Sequence, residues 1–162
     1  VITCTIEGTR PILFEIQALT TRSSFGMPRR TAVGYDYNRV NLIMAVIEKR
    51  MGLTMGDYDA YVNIAGGIRI SEPSVDLGLV TALVSSFKNR PVSDDGMAFG
   101  EVGLSGEVRS VSMPGKRINE AVKMGVKTIV LPESCLSSVE EIPAGVELIG
   151  VKGIREACDK VI

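Results

Sequence analysis

Two apolar runs rich in β-branched residues open the sequence, at residues 1–6 and 11–20. The four residues between them (EGTR) include a glycine, which is typical of a turn. The pattern therefore predicts a hairpin or a pair of neighbouring strands at this point. Residues 21–35 have no usable periodicity and contain glycine, proline and three arginines. We expect a long loop there, and a loop of that length in a compact domain is usually functional or disordered.

Helical spacing first appears at residues 40–51, where apolar side chains recur at i, i+3, i+4 and i+7. Asp36 is suited to cap the start of this helix and Gly52 to end it. A short apolar run at residues 60–65 then predicts a strand. The next helix is expected from Pro73, a residue suited to a first helical turn, to about Phe87. Because it is apolar on nearly every side, we expect it to be the central, buried helix.

The second half of the chain continues the alternation of strands and helices. Residues 97–102 and 107–112 flank a glycine-containing turn and predict a second hairpin. Pro114 opens a helix that Gly125 is suited to end. Strands are predicted at residues 127–131 and 146–151, and a last helix at residues 154–161. This order predicts a single domain of the α/β or α+β class without internal repeats.

Composition narrows the class of protein. A chain of 162 residues with 45% hydrophobic residues favours one compact domain. It begins inside strand-like sequence, so we expect a fragment of a longer protein. No apolar run approaches the length of a membrane span, and no secretory leader is present, so we expect a cytoplasmic protein without a membrane partner.

The three cysteines, at positions 4, 135 and 158, form no C-x-x-C pair, which argues against a disulfide framework or a metal site. We expect all three thiols to be buried or inert.

The sequence contains no histidine. This absence excludes every nucleophile scheme that depends on a histidine base. Glycines 66 and 67 follow a predicted strand, but they lack the G-x-G-x-x-G spacing and the later lysine of a phosphate-binding loop. A nucleotide site is therefore disfavoured.

Charge is distributed unevenly although the net charge is −1. Residues 1–132 carry 15 Lys and Arg against 13 Asp and Glu, whereas residues 133–162 carry 3 against 6. A local basic face is therefore compatible with the near-neutral total.

Five blocks between residues 62 and 132 occur in an order that resembles the Lon proteolytic-domain family. They are Pro73-Ser74, Thr81-Ala82-Leu83, Arg90-Pro91-Val92, the Gly100-Glu101-Val102-x-Leu104-x-Gly106 segment and residues 125–132 (GVKTIVLP). Each block alone is weak, but together they are specific. The resemblance implies a single domain, residues 1–162, with the Lon proteolytic-domain fold, which is also described as ribosomal protein S5 domain 2-like.

Further segments resemble the RadA/Sms branch of DNA repair ATPases more than Lon itself. These are residues 7–11 (EGTRP), 28–34 (PRRTAVG), 36–39 (DYNR) and 66–70 (GGIRI). The resemblance implies a parent protein with a zinc motif and a RecA-like ATPase core that acts in recombinational repair by processing branched DNA, and a domain that assembles into a hexameric ring. This chain has neither a G-x-x-x-x-G-K-[ST] loop nor a cysteine pair. We therefore expect no cofactor in this domain, and ATP, Mg and Zn only in other parts of the parent.

Peptidases of the Lon type use a serine nucleophile and a lysine base. The resemblance places Ser74 at the nucleophile position and Arg117 at the lysine position. An arginine cannot accept the serine proton because its guanidinium stays charged. Lys116 is no substitute, because adjacent helical residues point about 100° apart. We expect no catalytic residues here, and a Ser74 hydroxyl that satisfies backbone donors at the helix start.

Two neighbouring positions also depart from the peptidase pattern. Asp76 would repel a developing oxyanion. Phe99 stands where the peptidases have a threonine.

Two functions remain open besides a Lon-type serine peptidase. One is a platform that binds the backbone of double-stranded or branched DNA, because arginine suits phosphate and stacking aromatics are sparse. The other is a purely structural, ring-forming scaffold. The candidate DNA-contacting residues are Arg10, Arg29, Arg30, Arg109, Lys116 and Arg117. In the alternative interpretation, Arg69 and Arg117 are internal partners of Asp76 or Glu101.

Overall fold

A computed structural model describes residues 1–24 and 26–162 of the chain. The strands are β1 Ile2–Glu7, β2 Arg10–Arg22, β3 Arg30–Val33, β4 Tyr58–Ile64, β5 Gly96–Ala98, β6 Glu101–Val102, β7 Val108–Arg109, β8 Thr128–Pro132 and β9 Glu147–Val151. The α-helices are α1 Tyr37–Met51, α2 Asp76–Lys88, α3 Pro114–Lys123 and α4 Ile154–Val161, and 3₁₀ segments cover Ala65–Gly67, Pro73–Val75 and Glu133–Ser138. The predicted α/β class is confirmed.

Seven strands form one mixed, mostly parallel sheet in the order β3-β4-β2-β1-β5-β8-β9. The predicted hairpin at the start of the chain is confirmed, since β1 and β2 pair antiparallel from Ile2 opposite Glu15 to Glu7 opposite Arg10. Strand β2 is 13 residues long, and it pairs with β1 up to Glu15 and with β4 from Ile16 onward. This one strand therefore joins the two halves of the sheet.

The long loop predicted at residues 21–35 is partly wrong. Residues 30–33 form the edge strand β3, which pairs parallel to β4 with Arg30 opposite Ala60 and Val33 opposite Asn63. Phe25 lies outside the described residues. The strand is only four residues long and is flanked by proline and glycine, so a two-residue period is too short to recognise there.

The second predicted hairpin is also corrected. Residues 96–98 form β5 inside the large sheet, between β1 and β8. Only β6 and β7 pair as a hairpin, with Val102 opposite Val108. Strand β5 ends at Ala98, four residues earlier than the apolar pattern indicates, and Gly100 just beyond it has a φ of +156°.

Helices α1, α2 and α4 cover one face of the sheet and enclose the larger hydrophobic core. The Asp36 carboxylate caps α1 by accepting from the Arg39 N–H at 2.7 Å, and Gly52 ends the helix in the left-handed conformation, both as predicted. Helix α2 is buried around most of its circumference. None of the helices in residues 1–24 and 26–162 combines the length and apolarity that crossing a bilayer demands.

Helix α3 covers only part of the opposite sheet face. Its Ile118 packs over Cys4 of β1 and Ile129 of β8 in a second, smaller core. Nothing in the described chain covers the part of this face formed by the second half of β2, β4 and β3. Leu19, Tyr61 and Val33 are therefore 59%, 37% and 53% exposed there.

Candidate functional site

Ser74 lies in the 3₁₀ turn Pro73–Val75 that leads into α2, next to the end of β1. Its side chain is buried, and only 1% of the residue is exposed. The hydroxyl donates to the Cys4 carbonyl at 3.3 Å and makes no cap hydrogen bond to the helix. The prediction that it satisfies backbone donors at the helix start is therefore wrong.

Arg117 reaches Ser74 from α3. Its Nη1 donates to the Ser74 hydroxyl at 3.0 Å and to the Cys4 carbonyl at 2.6 Å. Nε donates to the Ser112 carbonyl at 3.0 Å, and the guanidinium carbon lies 5.8 Å from the centre of the Phe99 ring. The two positions that the family resemblance aligns with a nucleophile and its base are thus in direct contact.

Glu72 neutralises the buried guanidinium. Its carboxylate forms an ion pair with Arg117 Nη2, and its other oxygen accepts from the Thr5 hydroxyl at 2.6 Å and the Ile6 N–H at 2.8 Å. Burial acts to raise the pKa of the Glu72 carboxyl, but the hydrogen bonds from Arg117, Thr5 and Ile6 outweigh it and lower that pKa overall. The carboxylate is therefore charged at neutral pH.

This arrangement cannot activate the serine. Among the described residues, the cation at the Ser74 hydroxyl is the Arg117 guanidinium, which has no lone pair with which to accept a proton. Lys116 is exposed, and its Nζ donates to the Thr9 carbonyl at 3.2 Å, away from Ser74. Ser74 and Arg117 are also shielded from solvent, so a substrate carbonyl has no access to the hydroxyl. The group instead ties α3 to β1 and to the start of α2.

Asp76 lies two residues after Ser74 and is fully buried. Both of its oxygens are occupied: it forms an ion pair with Arg39 and accepts from the Tyr35 hydroxyl at 2.7 Å and the Val102 N–H at 3.0 Å. Burial, with the charge of Asp76 beside it, raises the pKa of the Tyr35 phenol, so the phenol stays protonated and donates. The interpretation that Arg69 or Arg117 pairs with Asp76 is wrong, since Arg39 occupies that place.

Two of the charged residues at these sites were missed by the sequence analysis. Arg39 follows the cap residue of α1, and Glu72 precedes the Pro73-Ser74 motif. Arg39 lies within the segment at residues 36–39 that resembles the RadA/Sms branch, whereas Glu72 lies between the segment at residues 66–70 and the Pro73-Ser74 block. Neither segment carries a hydrophobic period that would reveal a buried ion pair.

Four of the residues predicted to contact DNA fall into groups that lie near opposite ends of strand β2. Arg10 and Lys116 lie at the β1–β2 turn, where Lys116 donates to the carbonyl of Thr9. Arg29 and Arg30 lie at the start of β3. Arg30 is opposite Ala60 of β4, and Ala60 is in turn opposite Thr20 of β2. From residue 10 to residue 20 the long strand β2 spans roughly 33 Å at about 3.3 Å per residue.

The remaining candidates are less free to contact a ligand. Arg117 is fully buried, so its place among the DNA-contacting residues is a correction: it holds the fold together. Arg109 is paired with Glu107 and lies 3.7 Å from Glu101. Arg30 is half-buried and donates to the carbonyls of Tyr58 and Met55.

Comparison with known protein families gives a match that covers most of the described fold, including Ser74 and Arg117. The Lon protease (S16) C-terminal proteolytic domain matches residues 33–161. The chain therefore belongs to the Lon protease (S16) C-terminal domain family.

Curated proteins that are similar to this chain include DNA repair proteins named RadA. The chain is 49% identical to RadA of Bacillus subtilis (strain 168) over 96% of its length, and 46% identical to that of Halalkalibacterium halodurans over 98%. It is also 46% identical to RadA of Streptococcus pneumoniae (strain R6) over 99% of its length. The resemblance to the RadA branch is confirmed. The chain spans 34–38% of the length of these relatives, about a third.

Proposed function

We propose that this chain is a non-proteolytic domain of an ATP-dependent recombinational DNA repair protein, in which it supports oligomerisation and contacts the DNA backbone. The observation that carries the loss of proteolysis is the Ser74–Arg117 contact. A permanently charged guanidinium occupies the place where a base must accept a proton. The buried pair acts as a structural link between α3, β1 and α2.

Cofactor chemistry is assigned to other parts of the longer protein. The sequence of this chain has no phosphate-binding loop and no cysteine pair for zinc, and its three cysteines are buried without a disulfide. We propose that ATP, Mg and Zn are bound outside it, and that the protein acts in the cytoplasm.

Oligomerisation is supported by the uncovered sheet face of Leu19, Tyr61 and Val33. Leu19 lies opposite Tyr61 across β2 and β4, and Val33 is in the next row on β3. Contiguous exposed apolar side chains on a sheet are typical of a surface that packs against another protein surface. We propose that copies of this domain associate through it, and that the assembly is the hexameric ring implied by the family resemblance.

A purely structural ring is the second candidate, and the same apolar face favours it. Sedimentation velocity on the wild type and on Leu19→Glu/Tyr61→Glu tests the interface. We expect the variant to sediment as a smaller species at equal concentration, because two buried carboxylates would oppose association. Met124→Glu, which changes an exposed residue directly after α3, is the control and is expected to leave assembly unchanged.

Contact with DNA is tested by titrating a labelled duplex at low salt. The two basic groups, Arg10 with Lys116 and Arg29 with Arg30, are about 33 Å apart along β2. Only an extended polyanion could touch both at once. We expect Arg29→Ala/Arg30→Ala and Arg10→Ala/Lys116→Ala each to weaken binding and to lower the salt dependence, without lowering the melting temperature by more than a few degrees. If the protein forms a ring that binds no duplex DNA, the purely structural scaffold remains as the candidate function.

Peptidase activity is the third candidate, and nothing in the site geometry favours it. We expect no cleavage of unfolded casein or of a fluorogenic peptide. Cleavage that disappears in Ser74→Ala would overturn the proposal that the domain is non-proteolytic.

A further inference from the structure

Arg50, near the C-terminal end of α1, is held in place although it is exposed. Its stem packs against Gly106, where an added Cβ would lie 3.2 Å from the Arg50 Cβ and Cγ. Its Nε donates to the Leu104 carbonyl at 3.2 Å. The turn between β6 and β7 therefore fixes this guanidinium.

Arg155, in the first turn of α4, lies beside it. Its Nη2 donates to the backbone carbonyl of Arg50 at 2.9 Å. Both side chains are on the surface. Within residues 1–24 and 26–162 we find no protein acceptor for either terminal nitrogen of Arg50, or for Nε and Nη1 of Arg155. Each of these two guanidiniums thus donates to one backbone carbonyl oxygen and has further N–H donors left over.

Nearby carboxylates do not neutralise this pair. The Glu107 carboxylate accepts from Arg109 at 2.6 Å and from the Ser105 N–H at 2.9 Å, and the Glu156 carboxylate accepts from the Lys152 N–H at 3.0 Å. Asp159 lies one helical turn beyond Arg155 on α4. In the described part of the chain no carboxylate oxygen lies within 4.0 Å of the Arg50 or Arg155 nitrogens.

We infer that Arg50 and Arg155 form a phosphate-binding pair that contacts the backbone of duplex DNA. The inference rests on the proposed function and deepens it, because neither residue belongs to the predicted DNA-contacting set. Two anchored guanidiniums present planar forks that match phosphate oxygens. Because their hydrogen bonds to Leu104 and Arg50 carbonyls already fix them, little side-chain entropy is lost when a phosphate binds.

The test is a fluorescence-anisotropy titration of a labelled duplex with the intact chain over a range of salt concentrations. Arg50→Gln/Arg155→Gln removes two charges and keeps part of each stem. Arg90→Gln/Lys160→Gln removes the same charge from two exposed residues elsewhere and is the matched control. We expect the first variant to bind at least about 10-fold more weakly than the control. We also expect its plot of log affinity against log salt to be less steep by about 2, since each lost phosphate contact removes roughly 0.9.

Arg155→Gln alone guards against a folding defect, because within residues 1–24 and 26–162 the Arg155 side chain makes one hydrogen bond, an exposed contact with the Arg50 carbonyl. It is expected to reduce the slope by about 1 with an unchanged thermal melt. If the wild type binds duplex and these variants bind like the control, the inference is overturned and the proposed DNA contact stands. If the wild type retains no duplex, the proposed DNA contact fails and the inference fails with it.

Discussion

Arg117 shows how one side chain decides what the Ser74 site can do. Its guanidinium, which is itself fully buried, makes hydrogen bonds to Ser112, Cys4 and Ser74 and pairs with the partly exposed Glu72. A planar, permanently charged fork can satisfy several acceptors at once, which a single ammonium cannot do in the same geometry. The same permanently charged guanidinium therefore leaves Ser74 without a general base and links α3 to β1.

Replacing Arg117 tests that structural role. Arg117→Ala would leave the partly buried Glu72 carboxylate without its cation, so we expect the free energy of unfolding to fall by about 3–5 kcal/mol, measured by urea denaturation. Ser74→Ala removes one hydrogen-bonding hydroxyl and is expected to cost about 1 kcal/mol. Similar losses for the two variants would contradict a central role for the guanidinium.

Glu72 makes stability depend on pH. Its folded-state pKa is lower than the ordinary value of 4.5, so the ion pair contributes stability that is present above that value and is lost as the pH falls through the lower folded pKa. We expect thermal melts to show a fall in stability as the pH is lowered from about 5, and this fall to be reduced in Glu72→Gln. An unchanged acid profile in Glu72→Gln would show that other carboxyls cause it.

Among the elements, β2 and β3 depend most on distant contacts. Strand β2 was predicted from its apolar run, but the pattern could not show that its second half leaves β1 and pairs with β4. Strand β3 was missed because four residues beside proline and glycine carry too little periodicity. Its position is set by pairing with β4 and by Gly34, whose carbonyl accepts from the Ile70 N–H at 2.8 Å.

Gly34 allows a test of the close backbone approach that positions β3. Its φ is +84°, and an added Cβ would lie 2.6 Å from the Ile68 carbonyl oxygen and 2.7 Å from the Ile64 Cβ. Left-handed backbone strain alone would lower the free energy of unfolding by about 1–2 kcal/mol. We expect Gly34→Ala to lower it by clearly more, because the added Cβ also collides with these atoms. Gly8→Ala is the control, because its φ is +63° and nothing lies within 4 Å. Equal losses in chemical denaturation would mean that the close approach at Gly34 relaxes without cost.

The whole molecule contains two cores on opposite faces of one sheet, and its three cysteines belong to them. Cys4 and Cys135 lie in the smaller core under α3, and Cys158 in the larger core under α4. The prediction that these thiols are buried is confirmed. Aliphatic side chains surround them, in keeping with the absence of tryptophan and the scarcity of aromatics.

Thiol reactivity reports on both cores. Burial raises the pKa of the Cys4 thiol to about 11 and that of Cys158 to about 12, so both are protonated at pH 8 as well as shielded. We expect the native protein to react with a thiol reagent such as DTNB only slowly at pH 8, and the urea-unfolded protein to titrate three thiols at once. Rapid reaction of one thiol in the native state would show that one core opens easily.

The sequence by itself determined what depends on neighbours along the chain. Helical periods, the Asp36 cap, the glycines that end α1 and α3, and the ordered family segments are local features, so they predicted most elements and the family. They also placed Ser74 and Arg117 at the two critical positions, and the chemistry of arginine excluded a base.

Only the tertiary structure decided which charges meet. Arg117 reaches Cys4 across 113 positions, Arg39 reaches Asp76 across 37, and Arg155 reaches Arg50 across 105. Such contacts depend on how helices pack across a sheet, and a hydrophobic pattern contains no record of them. For the same reason, basic residues that look like one set along the chain lie at opposite ends of β2.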